Sequence, residues 1–259
     1  MLPTFRIAVR LRLVTTLATT AGMILVILLV GALFPSVGDS IGRLDVPKGV
    51  AELLGGADYG SLVGWMRSEI GAVYGPLVIA AVAIIAAVGS TAGEEEEGIL
   101  ALELAHPITR SRLILAKAAA VLAAVLTIAL GTFLGLLAGV AVGGGGVAAS
   151  NLAALSLHLA LFGCAIGALA LALAAATGRR TLASGGAAGF AVLAFLINGF
   201  APLVHGLTWL KYVSPFYYYT GNDPIGYGID IGHLAVLAVA SIVLTAIAVV
   251  GLGRRDLRK

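Results

Sequence analysis

Six stretches of this chain each run to about 20 apolar residues or more, and that restricts the folds open to it more than any other feature. They are Val14 to Leu33, Ile70 to Ala92, Leu113 to Val142, Leu152 to Ala176, Leu182 to Val204 and Ile231 to Leu252. Each is long enough to cross the hydrocarbon core as a helix. None shows the two-residue alternation of a barrel wall, so six helices are the simplest reading and membrane-spanning strands are not expected. With 60% hydrophobic and only 11% charged residues, most of the surface must face lipid. The expected fold is an all-α integral membrane protein: six transmembrane helices in a single domain over residues 1–259, embedded in a lipid bilayer.

Basic residues in short loops mark the cytoplasmic side. Arg6, Arg10 and Arg12, then Arg110, Arg112 and Lys117, then Arg179 and Arg180, and finally Arg254, Arg255, Arg258 and Lys259 fall on one side of a six-span topology. Arg43, Lys48, Arg67 and Lys211 fall on the other. Both termini are therefore expected in the cytoplasm, in an inner (cytoplasmic) membrane. The basic start "MLPTFRIAVRLR" precedes an apolar run too long for a signal peptide and without a clear cleavage site, so it reads as an uncleaved first span. All seven tyrosines and both tryptophans lie in or beside the outer segments, as an aromatic belt. The net charge of +3 reads as inner-leaflet anchoring and not as a nucleic-acid signal.

Between the spans, "DVPKGVAELLGG" from Asp45 predicts a short outer helix, with Asp45 as N-cap. "VGGGGVAAS" (residues 142–150) predicts a tight outer turn, and "TGRRT" (177–181) a short inner one. The third stretch would be about 45 Å long as a helix, so its first turns, with Arg112 and Lys117, should protrude into the cytoplasm. From Leu203 to Asp230 the pattern is broken by Pro215, Pro224 and several glycines, just after Pro202. That predicts a re-entrant or interfacial element, since irregular backbone at membrane depth needs cover from protein or water.

Catalytic constellations are not apparent. Thr127, Thr132, Ser156, His158, Cys164, Asn198, Ser241 and Thr245 are scattered through the spans. His158 and Cys164 do not share a helical face, and no GxSxG, HExxH or phosphate-loop motif occurs. No catalytic residue and no metal site is assigned. Intramembrane carboxylates of the kind ion-coupled pumps use are missing as well.

Charge collects instead in "AGEEEEGILALELAHPITRSR", residues 92–112. Four glutamates cost roughly 2.5 to 3.5 kcal/mol each in hydrocarbon, so the second span should end just before them. On a helix, four successive side chains sweep about 300° and cannot converge on one ion. After Gly98, "ILALELAH" allows two helical turns stopped by Pro107, and Thr109 or Ser111 caps the restart. Arg110 and Lys117, two turns apart, should face the same way. An apolar helix displayed on the wet side of a membrane protein needs a partner groove.

At this connection the chain resembles the type-2 ABC transporter permeases. The resemblance is carried by Glu94, Glu95, Glu96, Glu97, Gly98, Leu100, Leu104, Ala105, Pro107, Arg110 and Lys117, and by the "SPFYYY" segment, Ser214, Pro215, Phe216, Tyr217 and Tyr218, before the last span. It implies that residues 93–112 are a coupling helix docking on a separate cytoplasmic ABC ATPase, and that a second permease chain, identical or not, completes the machine. ATP and Mg would then be bound by the ATPase, with no cofactor on this chain. It further implies an interfacial elbow helix near Phe5 to Leu13, and export by alternating access. The apolar spans point to a hydrophobic or amphipathic cargo such as an antibiotic, drug or lipid-like molecule. The alternative readings are polymer export and a permease-like factor for metalloenzyme maturation.

Overall fold

A computed structural model describes residues 2–41, 59–105 and 107–255. The predicted helix from Asp45 lies outside these residues. The described residues contain helices and no strands. We label the helices α1 (Leu2–Ile41), α2 (Leu62–Glu96), α3 (Ile99–Leu104), α4 (Arg110–Val142), α5 (Ala149–Thr177), α6 (Arg180–Phe200), α7 (Pro215–Thr220), α8 (Pro224–Tyr227) and α9 (Ile231–Arg254). Six of them, α1, α2, α4, α5, α6 and α9, are long and apolar enough to cross a membrane.

Three boundaries differ from the sequence reading, each for a physical reason. The segment predicted as an elbow helix is continuous with the first span, and α1 runs unbroken from Leu2 through Pro35 to Ile41. The second span starts at Leu62, eight residues before the apolar run, because its polar turn finds partners: Arg67 Nη2 meets Oδ2 of Asp223, the N-cap of α8, at 2.7 Å. At its other end α2 continues through Glu94, Glu95 and Glu96, where termination at Ala92 was expected. Glutamates can stay in the helix because protein cations receive two of them.

The bundle is organised around α5, which packs against α2, α4, α6 and α9. Its buried face includes Leu152, Leu155, Leu159, Phe162, Ile166 and Leu171. Helix α1 stands at the edge and packs chiefly on α4. That seam is made by Gly131, Gly135 and Gly139, spaced four apart on one face of α4, which let the two backbones approach closely. A Cβ on Gly31 of α1 would sit 2.3 Å from the Gly139 carbonyl oxygen.

Helix α2 holds two wide π turns, Arg67–Tyr74 and Gly89–Gly93. In the first, the Gly75 N–H reaches back five residues to Ile70. The residue five beyond Gly71 is Pro76, which has no N–H, so the Gly71 carbonyl needs another donor. Tyr219 of α7 supplies it, its hydroxyl donating at 2.7 Å from a fully buried ring.

Tyr219 belongs to the predicted broken element between the fifth and sixth spans, which is built from the 3₁₀ turn Thr208–Val213 and helices α7 and α8. Asn151 near the start of α5 donates to Ile225 of α8 at 3.0 Å, while Phe216 of α7 packs on Phe162, eleven residues along α5. The element therefore reaches about 16 Å down the helix from that end. Its Ser214 donates to the Ala194 carbonyl of α6 at 2.8 Å, and both prolines stand at first helical positions, where the missing N–H costs nothing. Asp230 then caps α9, accepting from the His233 N–H at 3.0 Å, and this bond holds its carboxyl below the usual carboxylate range.

Candidate functional site

The four glutamates leave α2 in different directions, as helical geometry requires, and each meets a different element. Glu94 forms an ion pair with Lys117 of α4. The Lys117 ammonium, only 1% exposed, also contacts Glu103 of α3 at 2.8 Å. Arg12 of α1 lies beside Gly89 and is close enough to Glu94 to add a second positive field. Glu95 takes both arms of Arg255, one at 2.6 Å from Oε1, in the forked geometry that makes Arg–carboxylate pairs specific. Glu96 accepts the Arg180 backbone N–H at 2.9 Å, at the start of α6. Glu97 is exposed.

Arg255 is the keystone of the last span's end. Its Nε donates to the Ala175 carbonyl at 2.7 Å, so one guanidinium joins the ends of α2, α5 and α9. Gly178 makes room for it. With φ of +60° it caps α5 in the left-handed region, and a Cβ there would lie 2.5 Å from Arg255 Nη1. Arg110 donates to the carbonyls of Leu252 and Arg255 at 2.9 and 2.7 Å, tying the start of α4 to the same place.

Between α2 and α4 the chain turns at Gly98, where φ is +75°. A Cβ there would meet nothing within 4 Å, so the requirement is conformational and not steric. Gly98→Ala is expected to cost about 1 kcal/mol, with Gly98→Asn milder, in a thermal unfolding series. The following α3 has two faces. Leu100 is fully buried, Leu104 packs against the core and Glu103 points at Lys117. Ile99 (40% exposed) and Leu102 (69%) point outward, three residues apart on one face. Thr109, of the two candidate caps, is the one used, accepting from the Arg112 N–H at 3.3 Å.

The structure thus brings together most of the residues singled out at this connection, with redistributed roles. Glu94, Glu95, Arg110 and Lys117 face inward, so Lys117 does not protrude with the first turns of α4 as its position in an overlong helix suggested. Leu100 anchors α3. Glu96, Glu97 and Pro107 are exposed. Glu103 and Arg255 were not selected from sequence. The available signal for Glu103 was a lone carboxylate in an otherwise apolar helix; Arg255 gave none beyond its part in topology. Among the described residues no group of three or more His, Cys, Asp or Glu is placed to hold a metal ion.

The chain itself matches a known family over nearly its whole length. The family described as "Multidrug efflux system permease Rv1217c, C-terminal domain" matches residues 3–252. The chain belongs to this ABC-2 type permease family. No curated protein gives a significant match. As a family member the permease is a transmembrane component of an efflux system, which implies a separate ATPase partner.

The permease's other predicted segment is also placed. Ser214 is buried, bonded to α6; Pro215 opens α7; Phe216 lies between Phe162 and Phe195, at 4.6 and 5.4 Å between ring centroids. Tyr217 and Tyr218 form an edge-to-face group with Tyr212 and His233. Ala72, Val73, Pro76 and Leu77 of α2, Ala191, Val192 and Phe195 of α6, and Phe216 line an apolar groove of about 180 Å³.

Proposed function

We propose that the permease is the membrane subunit of an ATP-driven exporter of the inner membrane, and that α3 transmits the motion of a separate cytoplasmic ATPase to the spans. The observation that carries this reading is the orientation of α3. Its outer face presents Ile99 and Leu102, while its inner face is held by Leu100 and by the Glu103–Lys117–Glu94 relay. A push on the exposed face reaches α2 and α4 through buried charges and not through a flexible loop. Lys117 would move with both acids, and Arg255 would carry the same displacement to α5 and α9.

The cargo pathway is assigned to the groove between α2 and α6, whose apolar lining suits a hydrophobic or amphipathic compound. Large apolar side chains on α6, Leu182, Val192, Leu193 and Leu196, are exposed in the single chain. A second permease chain placed against α6 would close the groove into a shared cavity, which alternates between the two membrane faces as the ATPase binds and hydrolyses ATP.

Docking through α3 is tested with the double variant Ile99→Asp, Leu102→Asp. Both side chains point outward, so thermal unfolding of the purified permease should stay within about 0.5 kcal/mol of the parent. Co-purification of the ATPase and ATP-dependent transport in reconstituted vesicles should both be lost. Retention of the ATPase by a folded double variant would refute the docking role.

A further inference from the structure

At the end of the bundle opposite the coupling connection lies a second cavity, of about 350 Å³, with a different chemistry. Its lining includes Arg67 of α2, Asn198 in the last turn of α6, Lys211 of the 3₁₀ turn, Tyr217 of α7 and Asp223, the N-cap of α8. Two cations and one carboxylate leave it with a net positive charge. Asp223 is committed to Arg67 Nη2 at 2.7 Å. Lys211 forms no ion pair among the described residues and rests instead on two rings, with Nζ 5.2 and 5.4 Å from the Tyr212 and Tyr217 centroids. Arg67 Nε is buried without a hydrogen-bond partner. A buried donor without a partner is a standing cost, and the residue that carries it lines this positive cavity.

Asn198 fits the same picture. It is the one polar side chain in the last three turns of α6, and it lines this cavity. The cavity does not stand alone. Ala72 lines both it and the apolar groove between α2 and α6, and Tyr217 and Phe216, adjacent in sequence, line one each. A basic chamber thus meets a fatty groove along one wall of α2.

We propose that the two cavities form one binding site for an anionic amphiphile. A carboxylate or phosphate head is held by Lys211, Arg67 and Asn198, and a hydrocarbon tail lies along the groove beside Leu77, Val192 and Phe195. This assigns a charge to the cargo class and rests on the exporter reading only for the direction of movement. Binding itself requires no ATPase.

The test uses the full chain in nanodiscs of uncharged phosphatidylcholine. Two probes are titrated, dansyl-labelled undecanoic acid and its methyl ester, with energy transfer from the protein's tryptophans as readout and empty nanodiscs as blank. The acid is expected to bind at least tenfold more tightly than the ester. Lys211→Gln should weaken acid binding at least tenfold and erase that preference, and Lys211→Arg should restore it. Val192→Trp, which fills the groove, should weaken both probes at least tenfold.

Equal affinity for acid and ester in the parent, or a preference that survives Lys211→Gln, would overturn the head-group assignment. Inorganic phosphate displacing the acid, with Val192→Trp without effect, would show a simple anion site and overturn the amphiphile. ATP-driven efflux of a neutral dye by the parent permease with its ATPase tests the exporter reading separately, so a binding failure does not decide it.

Discussion

Replacing Lys117 with alanine is expected to destabilise the coupling end of the bundle by about 3–5 kcal/mol, the cost of leaving a buried ionic partner uncompensated. Lys117 is almost fully buried and serves two carboxylates on two elements, Glu94 of α2 and Glu103 of α3. Without it two acids face each other in a poorly hydrated place, and α3 loses its inward hold. Thermal unfolding of the variant in detergent should show the loss. Returning the trio to its original charge of −1 with Glu94→Gln in the same chain should recover most of it, because the penalty comes from the second unpaired acid and not from the missing side chain. If Lys117→Ala unfolds with the parent, or the second change does not help, the relay is not a buried electrostatic joint. The rescued double variant also separates stability from coupling: it should fold, yet transmit ATPase motion poorly.

Gly139→Leu is expected to have an equally large effect by a different route. The two helices α1 and α4 are so close there that a Cβ on Gly139 would lie 2.9 Å from the Ile27 backbone oxygen. Backbone cannot step aside as a flexible side chain does. The leucine must therefore force the helices apart along the seam that includes Met23, Ile27 and Val30. A loss of about 3 kcal/mol, the upper end of overpacking costs, is expected, with α1 newly open to proteolysis. Gly146→Leu serves as the control, since a Cβ there meets nothing within 4 Å. Similar stability for the two variants would show that the glycine seam is not a close packing contact.

Much of the architecture was legible because the bilayer imposes a length and a composition on each span, and both can be counted along the chain. The six apolar runs, the turn within residues 142–150 and the broken element containing Ser214 to Tyr218 were readable locally, as was a helix restart capped by Thr109 or Ser111, of which the fold uses Thr109. Boundaries set by distant partners were not. Arg67 and Glu94 lie outside the apolar run or at its edge, yet inside a helix, because Asp223 and Lys117 meet them from far away in sequence. Apolar periodicity is equally silent on which face of α3 is spent on packing. Leu100 and Leu102 are chemically alike, and only the neighbours of α3 bury one and expose the other.

The sequence by itself determined the number of spans, the place of the charge and the scattering of the four glutamates, since these follow from hydrocarbon thickness and from 3.6 residues per turn. Tertiary structure decided what the charges are for. Burial excludes water from Glu94, Glu95 and Lys117 and obliges each to take a specific partner. It thereby turns what reads as an exposed acidic collar into an internal joint between α2, α3, α4, α5 and α9.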